Sequence, residues 1–252
     1  MKNKWRFIGY DSYKGSMNMA IDESISKEVL KNNSLNSLRI YGWNPSCVSV
    51  GFFQAIRKEV DFAAAKDMSV DIIRRLTGGG AVFHEHEITY SLIISEKDAP
   101  DDIVESYEKI CSCLIEGLSK LGIKPFFKPI NDIILNNKKI SGSAQTRING
   151  TIIQHGTILI DLDVDKMFKL LKVPNEKIKD KLISNVKERV TCLNDELGYN
   201  VGIETFSDYI KKGFESVFNI EFIDAKLTNN ELLNAKKLDK EKYSTKDWIF
   251  QR

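Results

Sequence analysis

Apolar positions recur along this chain with two periods, one of three to four residues and one of two, and these mark out helices and strands. Between Ser16 and Leu30, Met17, Ala20, Ile21 and Ile25 return at helical spacing, with Ser16 as the expected N-cap. A longer helix is predicted over Asp102–Leu121. There Val104, Tyr107, Cys111, Leu114, Leu118 and Leu121 trace one face, and Gly122 ends it. Cys111 then belongs to the buried stripe, and Cys113 points to a different side. Leu38–Tyr41 and Cys47–Val50 read as short strands around a Gly42-Trp43-Asn44-Pro45 turn. Ile88–Ser95 alternates almost strictly, the pattern of a strand with one face buried.

Strand signals are densest over residues 131–162. Ile133–Leu135 and Ile140 flank an Asn136-Asn137 turn, and Asn149-Gly150 joins Gln145–Ile148 to Thr151–Ile160. Asn-Gly between strand residues is a strong hairpin signal, because both positions tolerate positive φ. Beyond Asp161 the chain turns helical and Lys-rich over Asp165–Leu171, Asn175–Val186 and Phe206–Phe218. The lysines of 166–189 are most simply the solvated face of those helices. Hairpins without regular βαβ alternation predict an α+β fold: a mixed, largely antiparallel sheet flanked by helices. No repeat or composition break divides residues 1–252, which read as one domain.

Charge and composition narrow the class. Lys and Arg number 37 against 35 Asp and Glu, a net +2, which argues against a dedicated nucleic-acid binder. With 42% hydrophobic and 29% charged residues the chain is ordinary globular material rather than disordered. No apolar run nears the ~20 residues that span a bilayer, so no membrane partner is expected. The basic N-terminus lacks an apolar stretch behind it, and so does not read as a signal peptide. Cys47, Cys111, Cys113 and Cys192 form no CxxC pair and no metal-ligand spacing, which suits a reducing cytoplasm.

Three stretches carry chemistry. In Arg74-Arg75-Leu76-Thr77-Gly78-Gly79-Gly80-Ala81-Val82-Phe83-His84-Glu85, adjacent glycines can bring backbone N–H groups onto an anion, with an arginine to neutralise it. A flexible loop with solvated arginines is the plainer reading. No Gly-Lys-[Ser/Thr] follows, so this is not a Walker loop. In Asn131–Gln145, a two-residue Asn136-Asn137 turn sets Ile134 opposite Lys139 and Asp132 opposite Ser141. Asp132 and Lys139 then become diagonal neighbours, roughly 7–8 Å apart. That pair suits a site handling ATP, with Asp132 toward Mg²⁺ and Lys139 toward an anionic oxygen, although an exposed hairpin tip has the same composition. His155 falls opposite Ala144 on the next hairpin. His84 and His86 have no zinc-ligand spacing, and no Gly-x-Ser-x-Gly elbow supports serine hydrolysis.

Taken in order, Arg74-Arg75-x-Thr-Gly-Gly-Gly-Ala-Val-Phe-His, Asn131-Asp132, Lys139-Ile-Ser-Gly-Ser-Ala and His155-Gly resemble the lipoate–protein ligases of the biotin/lipoate ligase superfamily. The similarity runs from Trp5, through Asn18–Glu23, to Tyr243–Trp248. It implies a catalytic domain like those of biotin ligases and class II aminoacyl-tRNA synthetases. It also implies ATP and Mg²⁺ activating lipoate or octanoate to an acyl-adenylate, then transfer to a lysine of a lipoyl acceptor domain. Such acceptors are 2-oxoacid dehydrogenase E2 subunits and the glycine-cleavage H protein. By the same resemblance Lys139 is the catalytic lysine, touching both acyl carbonyl and α-phosphate. Arg75, Gly80, Ala81, Val82 and Phe83 join it in binding ATP; Gly79, His84 and His155 join it in binding lipoate. Asp132 is the Mg²⁺ ligand, with Asn131 beside the phosphates.

Some similar proteins are instead octanoyltransferases, which move an acyl group from acyl carrier protein through a cysteine thioester. Their cysteine lies in an insertion ahead of the lysine-bearing strand, where this chain reads Pro129-Ile130-Asn131-Asp132. The ligase is therefore the expected activity and the transferase its alternative. Two departures from the pattern are Glu85, where Asp is usual, and an end at Arg252, where many ligases begin an accessory domain. The second implies a separate accessory protein as a further partner.

Overall fold

A computed structural model of the protein describes residues 2–172 and 179–252. Its strands are β1 (Asn3–Tyr13), β2 (Ser37–Trp43), β3 (Cys47–Val50), β4 (Asp71–Arg74), β5 (Val82–His84), β6 (Glu87–Ser95), β7 (Phe126–Lys128), β8 (Asp132–Leu135), β9 (Lys138–Ile148), β10 (Thr151–Leu159) and β11 (Ile220–Ala225). Its helices are α1 (Gly15–Leu30), α2 (Ile56–Glu59), α3 (Phe62–Asp67), α4 (Ile103–Ser119), α5 (Val164–Leu170), α6 (Lys179–Arg189), α7 (Leu193–Leu197), α8 (Ile203–Phe218), α9 (Asn229–Leu238) and α10 (Lys246–Ile249). An eight-stranded sheet runs β11-β1-β2-β6-β10-β9-β8-β7, and a three-stranded sheet runs β4-β3-β5. Among the described strands, the β11-β1, β1-β2 and β3-β4 pairings are parallel and the others antiparallel. The mixed, largely antiparallel sheet with flanking helices is the architecture the hairpin signals predicted.

The large sheet is buried on both faces. On one, Ile40, Ile88, Tyr90, Leu92, Ile133, Ile140 and Ile158 pack with Ile110, Leu114 and Leu118 of α4 and Phe206, Ile210 and Phe214 of α8. Each such side chain fully removed from water stabilises the fold by about 1.5–3 kcal/mol. On the other face α1 lies across the strands, its Met19, Ala20, Ile21 and Ile25 against Tyr41, Trp43, Ile93 and Ile153. A third cluster, including Val48, Val50, Ile56, Val60, Ala65 and Leu170, sits under the small sheet.

Several local expectations change. Helix α1 begins at Gly15 with Lys14 at the cap position, so Ser16 lies inside the helix. Cys113 is buried like Cys111, because α8 packs close on the second side of α4 and brings Gly213 against the Cys113 carbonyl. Strand β6 has no solvated face. Its apolar set meets α4 and α8, while Thr89 and Ser91 are buried on the α1 side. Of the helix expected over Asn175–Val186, residues 175–178 lie outside the described residues; α6 is seen from Lys179 to Arg189. Among the described residues no helix is long and apolar enough to cross a membrane.

Candidate active site

The β8–β9 hairpin delivers the lysine. Asn136 and Asn137 both adopt positive φ, at 49° and 64°, the conformation of a tight two-residue hairpin turn. Ile134 pairs with Lys139 as expected, but Ile133 then pairs with Ser141. Ile140 is thus the extra residue of a β-bulge, and Asp132 faces Gly142 rather than Ser141. The bulge leaves Ile140 in the core while Lys139 and Asp132 share the α1 face, where Lys139 Nζ meets Asp132 Oδ1 at 2.6 Å. Gly142 gives this contact its room, since a Cβ there would lie 2.8 Å from Lys139 Cε and Nζ. Thr191 N donates to the Lys139 carbonyl at 2.9 Å, tying the chain after α6 to the same strand. Asn131 braces the hairpin from below: its Nδ2 donates to Ser143 O at 2.6 Å, and its own carbonyl accepts from Ser143 N at 3.0 Å.

The glycine loop is braced from inside. Arg75 is buried, with Nη1 donating to Ser49 O at 3.0 Å and to Ser49 Oγ at 2.9 Å. Its Nη2 donates to Gly78 O at 2.8 Å and Gly80 O at 2.6 Å. Burial lowers its pKa to about 10, which leaves it charged at neutral pH. Arg74 is likewise internal, capping the carbonyls of Gly51, Phe52 and Gln54 and reaching Ile249 O and Arg252 O in the tail. Both guanidiniums hold backbone, so the solvated-arginine reading does not apply. Gly79, at φ 90°, turns the loop where a Cβ would be strained.

The histidines divide by environment. His155 faces Ala144, as the hairpin register predicted, with Nε2 2.8 Å from Thr77 Oγ1 and Nδ1 3.7 Å from Asp22 Oδ2. Asp22 itself is bound by Arg39 at 2.9 Å, and Arg39 stacks over Tyr41 with its carbon 4.0 Å from the ring centre. This buried network joins α1, β2 and β10 to the glycine loop through Thr77. His84 stacks on Trp43, ring centres 3.9 Å apart, and bonds both Ser49 and Glu87. His86 is half-exposed beside Glu85. Glu85 accepts from Ser46 Oγ at 2.9 Å and from Lys166 Nζ, clasping α5 against the turn before β6.

A cavity of about 390 Å³ opens among these elements. Arg75, Gly79–His84, Asn131, Lys139 and His155 all line it, so the structure brings the residues singled out in three distant stretches to one place. Asp132 stands at its edge through its contact with Lys139. Met167 and Val186, from the stretch 166–189 whose lysines had suggested only a solvated face, and Val190 just after it supply apolar wall. Residues the sequence reading passed over also contribute: Met19, Trp43, Ser49 and Thr89. The polar half of the β6 alternation was a signal for Thr89; a serine inside an apolar tetrapeptide gave none for Ser49. None of the four cysteines lines the cavity, and burial raises the pKa of every one, that of Cys111 to about 12. As a Mg²⁺ site the surroundings fit poorly. Asp132 is spent on Lys139, and among the described residues no group of three His, Cys, Asp or Glu could hold a metal.

Known proteins place this arrangement. Residues 14–215 match the profile of the lipoyl protein ligase A/B catalytic domain. The chain is 36% identical to octanoyltransferase LipM of Clostridioides difficile, over 99% of this chain and 100% of that protein. It is 34% identical to octanoyltransferase LipM of Anoxybacillus flavithermus, over 100% and 99%. Among solved structures, the bipartite lipoate protein ligase of Thermoplasma acidophilum superposes with a TM-score of 0.89 at 29% identity, covering 98% of this chain and 96% of that one. The resemblance to the lipoate-ligase family therefore holds. The expected activity does not: the relatives of 34–36% identity that align end to end are octanoyltransferases, which overturns AMP- and pyrophosphate-forming ligation and, with it, ATP and Mg²⁺ as cofactors. The ATP-binding roles expected of Arg75, Gly80–Phe83 and Lys139, and the Mg²⁺ role of Asp132, fall with that reading. The internal bonding of Arg75 and the Lys139–Asp132 pair give these side chains other work.

Proposed function

We propose an acyltransferase reaction for this chain, which belongs to the family of lipoyl protein ligase A/B catalytic domains. An octanoyl group leaves the thioester of an acyl carrier protein and is joined to the lysine of a lipoyl acceptor domain. Overall a C–S bond breaks, a C–N bond forms, and a proton passes from the attacking amine to the departing sulfur. The observation that carries this reading is the end-to-end likeness to octanoyltransferases. The cavity supports it, because apolar Met19, Trp43, Met167 and Val186 suit an eight-carbon chain while Lys139 presents a cation at one wall. In acyl transfer, negative charge develops on the carbonyl oxygen, and a preplaced cationic donor there contributes about 3–4 kcal/mol. Gly79, His84 and His155 shape the acyl pocket, and Asp132 orients Lys139.

The test is to mix the purified protein with octanoyl-acyl carrier protein and an apo lipoyl domain, without ATP, and to weigh the acceptor. An octanoyl gain on the acceptor lysine is expected, with Lys139→Ala slowing it by about 10²–10³-fold. A gain only from free octanoate with ATP would overturn the reading.

A further inference from the structure

The glycine loop rests on a second loop, and the last residues of the chain hold that second loop in turn. Gly51 lies so close beneath Gly79 that a Cβ on it would stand 2.1 Å from the Gly79 oxygen and 3.2 Å from the Gly78 carbonyl carbon. Beside this contact Phe52 N donates to Thr77 O at 2.9 Å. The side chain of Arg74, fully buried, binds the second loop through Nη1, on the carbonyls of Gly51, Phe52 and Gln54. The rest of the same guanidinium binds the tail, Nε on Ile249 O at 3.1 Å and Nη2 on Arg252 O at 3.3 Å. Ile56 N closes the circuit by donating to Arg252 O at 3.3 Å.

A second connection runs through the backbone. Strand β4 is an edge of the small sheet, so its outer carbonyls have no strand partner. Trp248 fills that role at the last of them, its Nε1 donating to Arg74 O at 2.9 Å. Across the same peptide unit, Arg75 N donates to Val50 O at 3.0 Å. The link between Arg74 and Arg75 is thus held from both sides, and Arg75 is the residue whose guanidinium gathers the Gly78 and Gly80 carbonyls. The indole is itself fixed: its centre lies 5.8 Å from the Phe52 ring and 5.6 Å from that of Tyr243, which is buried and bonds Glu23 of α1.

We infer that residues 243–252 form a strap that positions the glycine loop, with Trp248 as its positioning residue. Trp248 lies outside the cavity lining and acts on it only through Arg74, Arg75 and Phe52. Gly79 and Gly80 line the cavity, so a strap that sets their height sets the fit of the octanoyl chain. That kinetic consequence rests on the transferase reading above; the mechanical link does not.

Trp248→Phe keeps an aromatic ring against Phe52 and Tyr243 and removes only the donor. In transfer from octanoyl-acyl carrier protein to an apo lipoyl domain, the variant should raise KM for the donor about three- to tenfold, the worth of one hydrogen bond, with kcat within about twofold. Amide exchange followed by mass spectrometry should quicken on peptides bearing Phe52 and Arg75, whose N–H groups bind Thr77 O and Val50 O. A tail that served stability alone would lower kcat with the folded fraction and leave KM unchanged. Lys246→Ala, an exposed change in the same tail, should leave both readouts as they are. An unchanged KM, or exchange that quickens only within residues 243–252, would overturn the strap even if the variant is less stable. No acceptor octanoylation by the unaltered protein would overturn the transferase reading alone, and amide exchange then decides the strap.

Discussion

Replacing Gly142 by alanine would place a methyl carbon 2.8 Å from both Cε and Nζ of Lys139. Favourable contact between such atoms begins at about 3.5 Å, so the tip of the lysine must withdraw by roughly 0.7 Å. The struck atoms are the free end of a flexible side chain, and the next neighbour, Asp132 Oδ1, stands at an ordinary 3.5 Å. Gly142 also has no positive φ that an alanine would strain. Folding stability should therefore change by less than about 1 kcal/mol, helped by the smaller entropy of the unfolded chain. Catalysis should suffer much more, because a misplacement near 1 Å in a reacting constellation costs on the order of 10²-fold. We expect kcat for octanoyl transfer to fall ten- to a hundredfold, as about 1.4–2.7 kcal/mol of transition-state stabilisation, with the melting temperature nearly unchanged. Initial rates by mass spectrometry and thermal melts of the same preparation make the comparison. An unchanged rate would refute the assignment of Lys139 in its Asp132-paired position as the reacting cation. A large drop in melting temperature would refute the steric reasoning. Gly156 is the contrasting case. A Cβ there meets Ser143 Oγ at 2.6 Å, Tyr90 Cε1 at 2.7 Å and the Gly142 carbonyl at 2.8 Å, all fixed core, so Gly156→Ala should lose about 1–3 kcal/mol of stability.

Two further outcomes follow from the buried polar network. Arg39→Met strands Asp22 without its 2.9 Å partner and should cost about 3–5 kcal/mol by urea denaturation, and pairing it with Asp22→Leu should recover much of that loss. Burial holds His155 below its ordinary value of 6.5, with the nearby Asp22 opposing the shift. Its neutral-state contribution is therefore complete above pH 6.5 and is lost as pH falls from there toward the folded-state value, where the unfolded chain binds the proton and the native one does not. His155→Gln should flatten the stability slope in that window; an unchanged slope would assign it to other groups.

The legible parts of this structure are those whose signal is local. The Asn149-Gly150 and Asn136-Asn137 turns were readable because positive φ at both positions restricts the residue types, and their hairpins placed His155 opposite Ala144 and Ile134 opposite Lys139. The bulge at Ile140 was not, since register counting assumes an unbroken ladder and cannot see where one extra residue is absorbed. The β6 alternation was read correctly as a period but wrongly as a solvated face, because the cover over Thr89 and Ser91 comes from α1, more than sixty residues away in the chain. Separations of 17 and 35 residues likewise hid the Arg39–Asp22 and Ser49–His84 contacts, whose members are unremarkable within their own segments. The family was legible from motif order. The activity was not, because the likeness to octanoyltransferases that corrects it is spread over the whole chain rather than held in one motif.

The bonds of Arg75 have a directional consequence for the glycine loop. In a trans peptide the carbonyl and the following N–H point opposite ways. Drawing the Gly78 and Gly80 oxygens toward the guanidinium therefore turns the N–H groups of Gly79 and Ala81 outward, on residues that line the cavity. The guanidinium reaches the cavity beside Ser49, while the neutral amides of the loop face away from it. A negatively charged group passing this wall is met by dipoles whose aim an interior cation maintains, and lysine in place of Arg75, lacking the fork that spans both carbonyls, would keep the charge and lose the aim.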